Sequence, residues 1–95
     1  MTFDHVHSKE REKLKKRMDR LDTIVYEYLR THKSTLGELS VKLDCAPSTI
    51  WRYCRKVECF RKMPLETLAE IFRLANVSND DVRFVLGLPR GVCDE

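Results

Sequence analysis

From residue 9 to residue 31 the chain has neither Gly nor Pro, and Leu14, Met18, Leu21, Val25 and Tyr28 recur at alternating steps of four and three. Side chains at that spacing stack on one side of an α-helix, so the pattern predicts an elongated helix whose other faces are charged. The same row is a heptad seam two repeats long, and it can be used in two ways. It pairs with its copy in a second subunit, or it forms the first helix of a globular domain, with Ile24, Val25, Tyr28 and Leu29 packed inward. Residues 21–29 suit the core, whereas the mostly charged residues 9–20 are expected to project or to meet a protein partner. Ser8 is the expected cap, and residues 1–8 are expected to form a flexible terminus.

A second pattern occupies residues 35–57. Thr35 and Glu38 have the T-x-x-E spacing of a capping box, in which the hydroxyl takes the third amide of the helix and the carboxylate reaches back to the cap. A short helix therefore starts at Leu36, with Leu36, Leu39, Ser40 and Leu43 on one face and Glu38 and Lys42 in solvent. Asp44-Cys45-Ala46 interrupts it, and Pro47 suits the first position of another helix, running to about Val57. There Ile50, Tyr53, Cys54 and Val57 share the inward face. Ser48, Thr49, Trp51, Arg52, Arg55 and Lys56 point elsewhere: two hydroxyls, one large ring and three cations, a face suited to phosphates and base edges. Trp51 has two readings, exposed on that face or folded back over the connection near Phe60.

Beyond the basic connection that holds Arg61 and Lys62, Pro64 opens a helix with Leu65, Leu68, Ala69, Ile71, Phe72 and Ala75 as a broad apolar face and Asn76 at its end. Ser78 then caps a short last helix, with Val82, Val85 and Leu86 inward and Phe84 outward. Gly87 is its left-handed terminator, and residues 89–95 are expected to be a flexible tail. The expected architecture is all-α, one compact five-helix domain over residues 9–88.

The run from Leu36 to Tyr53, with Leu39, Leu43, Cys45, Ile50 and Tyr53 at its hydrophobic positions and Pro47-Ser48-Thr49 opening the second helix, resembles the helix-turn-helix of the lambda-repressor-like (Cro/XRE) family of phage and bacterial regulators. Ser40 stands where that family usually has Ala, Asp44 where it usually has Gly, and the connection from Arg52 to Pro64 is longer than usual. The resemblance implies a second helix that enters the major groove of double-stranded DNA, with Pro47, Ser48, Thr49, Trp51 and Arg52 lining it. Arg55, Lys56, Arg61 and Lys62 are then expected on the phosphate backbone. A homodimer would read two half-sites about one helical turn apart.

Composition sharpens this picture at a few points. The chain has 95 residues, 42% of them hydrophobic and 35% charged, enough for one small domain with a heavily solvated surface. The net charge of +3 is unevenly placed: residues 47–63 hold five Lys/Arg against one Asp/Glu, where counterion release from DNA would reward them. Cys45, Cys54, Cys59 and Cys93 have no C-x-x-C spacing, and the sequence has no signal-peptide pattern or long apolar run. Free thiols in a reducing cytoplasm, with Cys45 and Cys54 as small buried hydrophobes and no membrane association, are therefore expected in place of disulfides or a zinc site built with His5, His7 or His32. No phosphate loop, nucleophile elbow or metalloprotease motif is present, so neither catalysis nor a cofactor is expected. Two functions remain: a sequence-specific transcriptional regulator of repressor type, and a protein-interaction module, antirepressor or inhibitor, that uses the same helical scaffold to grip a protein through Trp51 and the long N-terminal helix.

Overall fold

The computed structural model describes residues 2–87, with side chains from Lys9 onward, and every regular element among them is a helix. These are α1 (Thr2–Thr31), α2 (Leu36–Leu43), α3 (Pro47–Arg55), α4 (Val57–Arg61), α5 (Leu65–Ala75) and α6 (Asn79–Leu86). The segment 89–95, expected to be a tail, lies outside the described residues, as do Cys93 and the side chains of His5 and His7. No described helix is long and apolar enough to cross a membrane.

The long helix is the spine of the molecule. At about 1.5 Å per residue its 30 residues span about 45 Å, which matches the longest dimension of the 45 × 35 × 21 Å fold. It starts at Thr2, ahead of the Ser8 cap expected from sequence, because nothing from there to Thr31 interrupts helical backbone.

Helices α3, α4, α5 and α6 all pack against α1, and α2 reaches the core through α3 and α5. The seam of α1 supplies what they cover. Met18, Leu21, Val25 and Tyr28 are buried, with Leu14 packed at the edge of the same cluster. The seam is thus filled by the chain's own helices, and pairing it with a second copy would require displacing them. A two-heptad stripe is also the stripe an amphipathic domain helix presents, and here four shorter helices need it. Of residues 9–20, expected to project or to meet a partner, most are exposed, but Met18 lies in the core and Arg17 bonds α6.

Six helices replace the expected five because the helix from Pro47 ends at Arg55. Lys56 takes extended backbone (φ −118°, ψ 116°) and closes α3 with its amide on the Arg52 carbonyl. The cause lies in packing: on one straight helix, ten residues would carry Phe60 about 80° away from the direction of Ile50. With the break, both are buried, Ile50 completely. Removing the Ile50 side chain to Ala would cost roughly 2–5 kcal/mol.

The remaining joints follow local rules. Glu38 N donates to Thr35 Oγ1 at 3.2 Å and Thr35 N to Glu38 Oε1 at 3.3 Å, a complete capping box. Asp44, Asn76 and Gly87 take left-handed conformations at helix ends (φ 58°, 54° and 76°), and the amide of Asp81 donates to Ser78 Oγ. Pro64 sits one position earlier than expected, as the N-cap of α5. The apolar face of α5 is also narrower: Leu68 and Ile71 are buried, but Leu65 and Ala69, on the flank of that stripe, are exposed.

Candidate nucleic-acid interface

Helix α3 carries the residues singled out in the sequence, and its two buried side chains, Ile50 and Cys54, hold it down. Taking Ile50 as the inward direction and turning about 100° per residue, Trp51, Arg55, Ser48 and Arg52 sweep across the outer side. Pro47, Ser48, Trp51, Arg52, Arg55 and Lys56 are all exposed, and Thr49 is half-buried toward the turn from α2.

The start of α3 differs from that of its neighbours. Helix α2 has a capping box, α6 has the Ser78 cap with Asp80 and Asp81, and α4 and α5 have Glu58 and Glu66 in their first turns. At α3 the N-cap is Ala46, which makes no side-chain hydrogen bond, and the first turn has no acidic residue. The positive end of this helix dipole thus faces no carboxylate of its own first turn, and its Thr49 and Ile50 amides donate to the Ala46 carbonyl.

One tie runs from α3 to α1, and a second contact lies within α3. Arg55 Nε lies 3.7 Å from Asp22 Oδ1 on α1, and the guanidinium stands 6.0 Å above the Trp51 ring of its own helix. The ring does not fold back toward Phe60. It rims a groove of about 170 Å³ between α1 and α3, with Val25, Tyr26, Leu29 and Leu36 on its walls. Trp51 is 48% exposed and Tyr26 61%, so two aromatic rings border this groove open to solvent. Tyr26 is absent from the sequence-based site, because its angular offset from the α1 seam marks it only as a surface residue.

Arg61 is placed elsewhere. It lines an open groove of about 580 Å³ against the N-terminal half of α1, whose walls also carry Lys13 and Arg17. The basic residues that the sequence groups as one backbone-contacting set thus divide between two places. Lys62 is exposed at the end of α4.

The thiols have structural surroundings. Burial, with a smaller contribution from the Asp22 charge, pushes the Cys54 thiol up to about 12. Cys45 is shifted in the same direction by burial and by Asp44. Cys45, Cys54 and Cys59 are all free, and no group of three or more His, Cys, Asp or Glu suited to a metal occurs among the described residues.

Comparison with protein-family models, with curated proteins and with solved structures finds no match to this chain.

Proposed function

We propose that the protein binds double-stranded DNA through α3 and acts as a small sequence-specific regulator, with α2 and α3 as a helix-turn-helix of the lambda-repressor-like kind. The observation that carries this reading is the open start of α3: an uncapped helix free of carboxylates in its first turn, followed by an exposed row of Ser48, Arg52 and Lys56. Phosphates are drawn to such an end, and Arg52 has the fork that recognises guanine in the major groove. Ser48 and Thr49 serve a phosphate or a base near the helix start, Pro47 and Trp51 line the groove, and Arg55, Lys56 and Lys62 approach the backbone. Any dimer that reads two half-sites uses a surface other than the α1 seam. Selecting bound sequences from a random duplex library tests the reading: it expects one enriched motif, and equal retention of all sequences counts against a specific regulator.

A second reading is supported by the aromatic groove. Trp51 and Tyr26 border an apolar slot, and Arg55 leans on Asp22, an arrangement that also suits a protein side chain as anchor. Under this reading the chain is an antirepressor or inhibitor. Binding to random duplex at low salt separates the two, because a module for protein partners alone shows almost none.

A further inference from the structure

The N-terminal half of α1 carries a charge pattern that the α3 site does not use. Residues 9–20 hold seven Lys/Arg and three Asp/Glu, a balance of +4. Several of these charges are already engaged: Arg11 with Glu58, Lys15 with Asp19, Arg20 with Asp81. Lys9, Lys13 and Lys16 are exposed and make no ion pair among the described residues. At about 100° per residue these three fall within about 60° of one another, a single row along about 10 Å of helix.

The row faces away from α3. Lys13 precedes Asp22 by nine residues, which is about two and a half turns, and Asp22 is the residue that pairs with Arg55 of α3. A duplex seated on the outer side of α3 therefore cannot also lie along this row. From Lys13 the cationic surface continues into the open groove with Arg17 and Arg61, where Glu10 is the one carboxylate on the lining. Even in its thinnest direction the fold measures 21 Å, about twice the Debye length at 0.1 M salt, so the two cationic faces act independently.

We infer that this face of α1, with Lys9, Lys13 and Lys16 as its contacts and Arg61 at its margin, is a second site for the phosphate backbone of a nucleic-acid duplex, so that one molecule can hold two duplex segments. This rests on the DNA reading of α3 for the first segment only. Ammonium groups recurring at steps of four and three residues, with Glu12 at the edge of the row, suit phosphates and carry no base readout, so the second site is indifferent to sequence. A membrane surface suits it less. Among the described side chains beside the row, the apolar Leu14 and Met18 are turned into the core and offer no anchor to a lipid surface.

The test combines duplex binding over a salt series with capture of a labelled duplex by protein held on an immobilised one. Two variants are compared with the full chain: Lys9→Ala/Lys13→Ala/Lys16→Ala and Arg52→Ala/Lys56→Ala. Alanine keeps Lys9, Lys13, Lys16 and Arg52 helical and suits the extended backbone at Lys56, and circular dichroism checks that both variants are folded. Expected is that each variant still binds one duplex and neither captures a second. Combining both sets should flatten the dependence of log affinity on log salt by about two to three relative to the α3 variant alone. Capture that survives the lysine substitutions overturns the proposal, and so does complete loss of duplex binding in the α3 variant, although the α3 reading then stands. If the lysine variant loses all binding while the α3 variant keeps capture, the proposal and the α3 reading both fall. A lysine variant unchanged on duplex but released from vesicles of phosphatidylserine and phosphatidylcholine also overturns it, in favour of a lipid surface.

Discussion

Arg17, near the middle of α1, donates from Nε to the carbonyl of Val85 at 2.8 Å, across 68 positions of sequence. Its guanidinium also stands 5.5 Å above the buried Phe60 ring. One side chain thereby ties the last turn of α6 and the short α4 to the spine, and it satisfies a carbonyl that the end of α6 leaves without an intrahelical partner.

Arg17→Ala should therefore destabilise the fold by about 1–2 kcal/mol, since a charged donor to a partly buried carbonyl is lost together with packing over Phe60. Gly87→Ala should cost a similar ~1–2 kcal/mol for a different reason: its φ is +76°, and an added Cβ would stand 3.0 Å from the Arg17 guanidinium carbon. Thermal unfolding of both single variants and the double variant checks this. Strictly additive losses would show that the two positions are not coupled.

On the α3 face, Arg52→Ala should reduce affinity for a selected site by ~1–3 kcal/mol and relax one base position, with the melting temperature unchanged. Lys56→Ala or Lys62→Ala should weaken all duplex sequences alike and make the salt dependence shallower by about one. Competition binding with single-base variants of the selected site distinguishes these patterns, and full sequence preference in Arg52→Ala would remove Arg52 from the reading face.

Trp51→Ala should cost more in affinity than in stability, because about half of the ring is open and its inner edge meets only the groove wall. Its fluorescence should change on addition of the selected duplex, as a solvent-exposed indole becomes covered. A variant that melts much earlier yet binds normally would show that the ring serves packing alone.

The Glu38 carboxyl is held below the usual glutamate range, first by the Ser34 hydroxyl and then by the Thr35 amide. A group whose folded pKa is lowered stabilises the fold above its unfolded pKa, and that contribution fades as pH falls through the folded value. The α2 start should thus weaken in acid below the ordinary glutamate range. Glu38→Gln should remove this part of the pH dependence while leaving the neutral-pH fold in place, as read from melting temperatures across a pH series.

With its thiol raised to about 12 by burial, Cys54 should resist iodoacetamide at neutral pH in the native protein, because the thiolate is the reactive form. Partly exposed Cys59 should react first among the described thiols, and Cys54 only after unfolding. Peptide mapping after timed labelling reads the order; early modification of Cys54 would mean that α3 opens from α1 readily.

What the sequence by itself determined is local. The Thr35 capping box, the helix end at Asn76, the left-handed end at Gly87, the Ser78 cap and the inward positions Leu39, Ile50 and Val85 were legible because hydrogen-bond closure and helical periodicity act over three or four residues. The candidate reading helix belongs to that class, since Pro47 opens it and its cations fall outside its buried stripe. The left-handed Lys33 escaped notice, as a lysine carries no sign of a positive φ. Only the tertiary structure decided what covers the α1 seam, because an apolar stripe specifies that it must be buried and not which helices bury it. It decided the break at Lys56, where Ile50 and Phe60 must both meet α1. It also decided that Arg55 leans on Asp22 while Arg61 gathers with Lys13 and Arg17. Charges adjacent in sequence were parted, and charges far apart were joined, because their places follow from how whole helices pack against the spine.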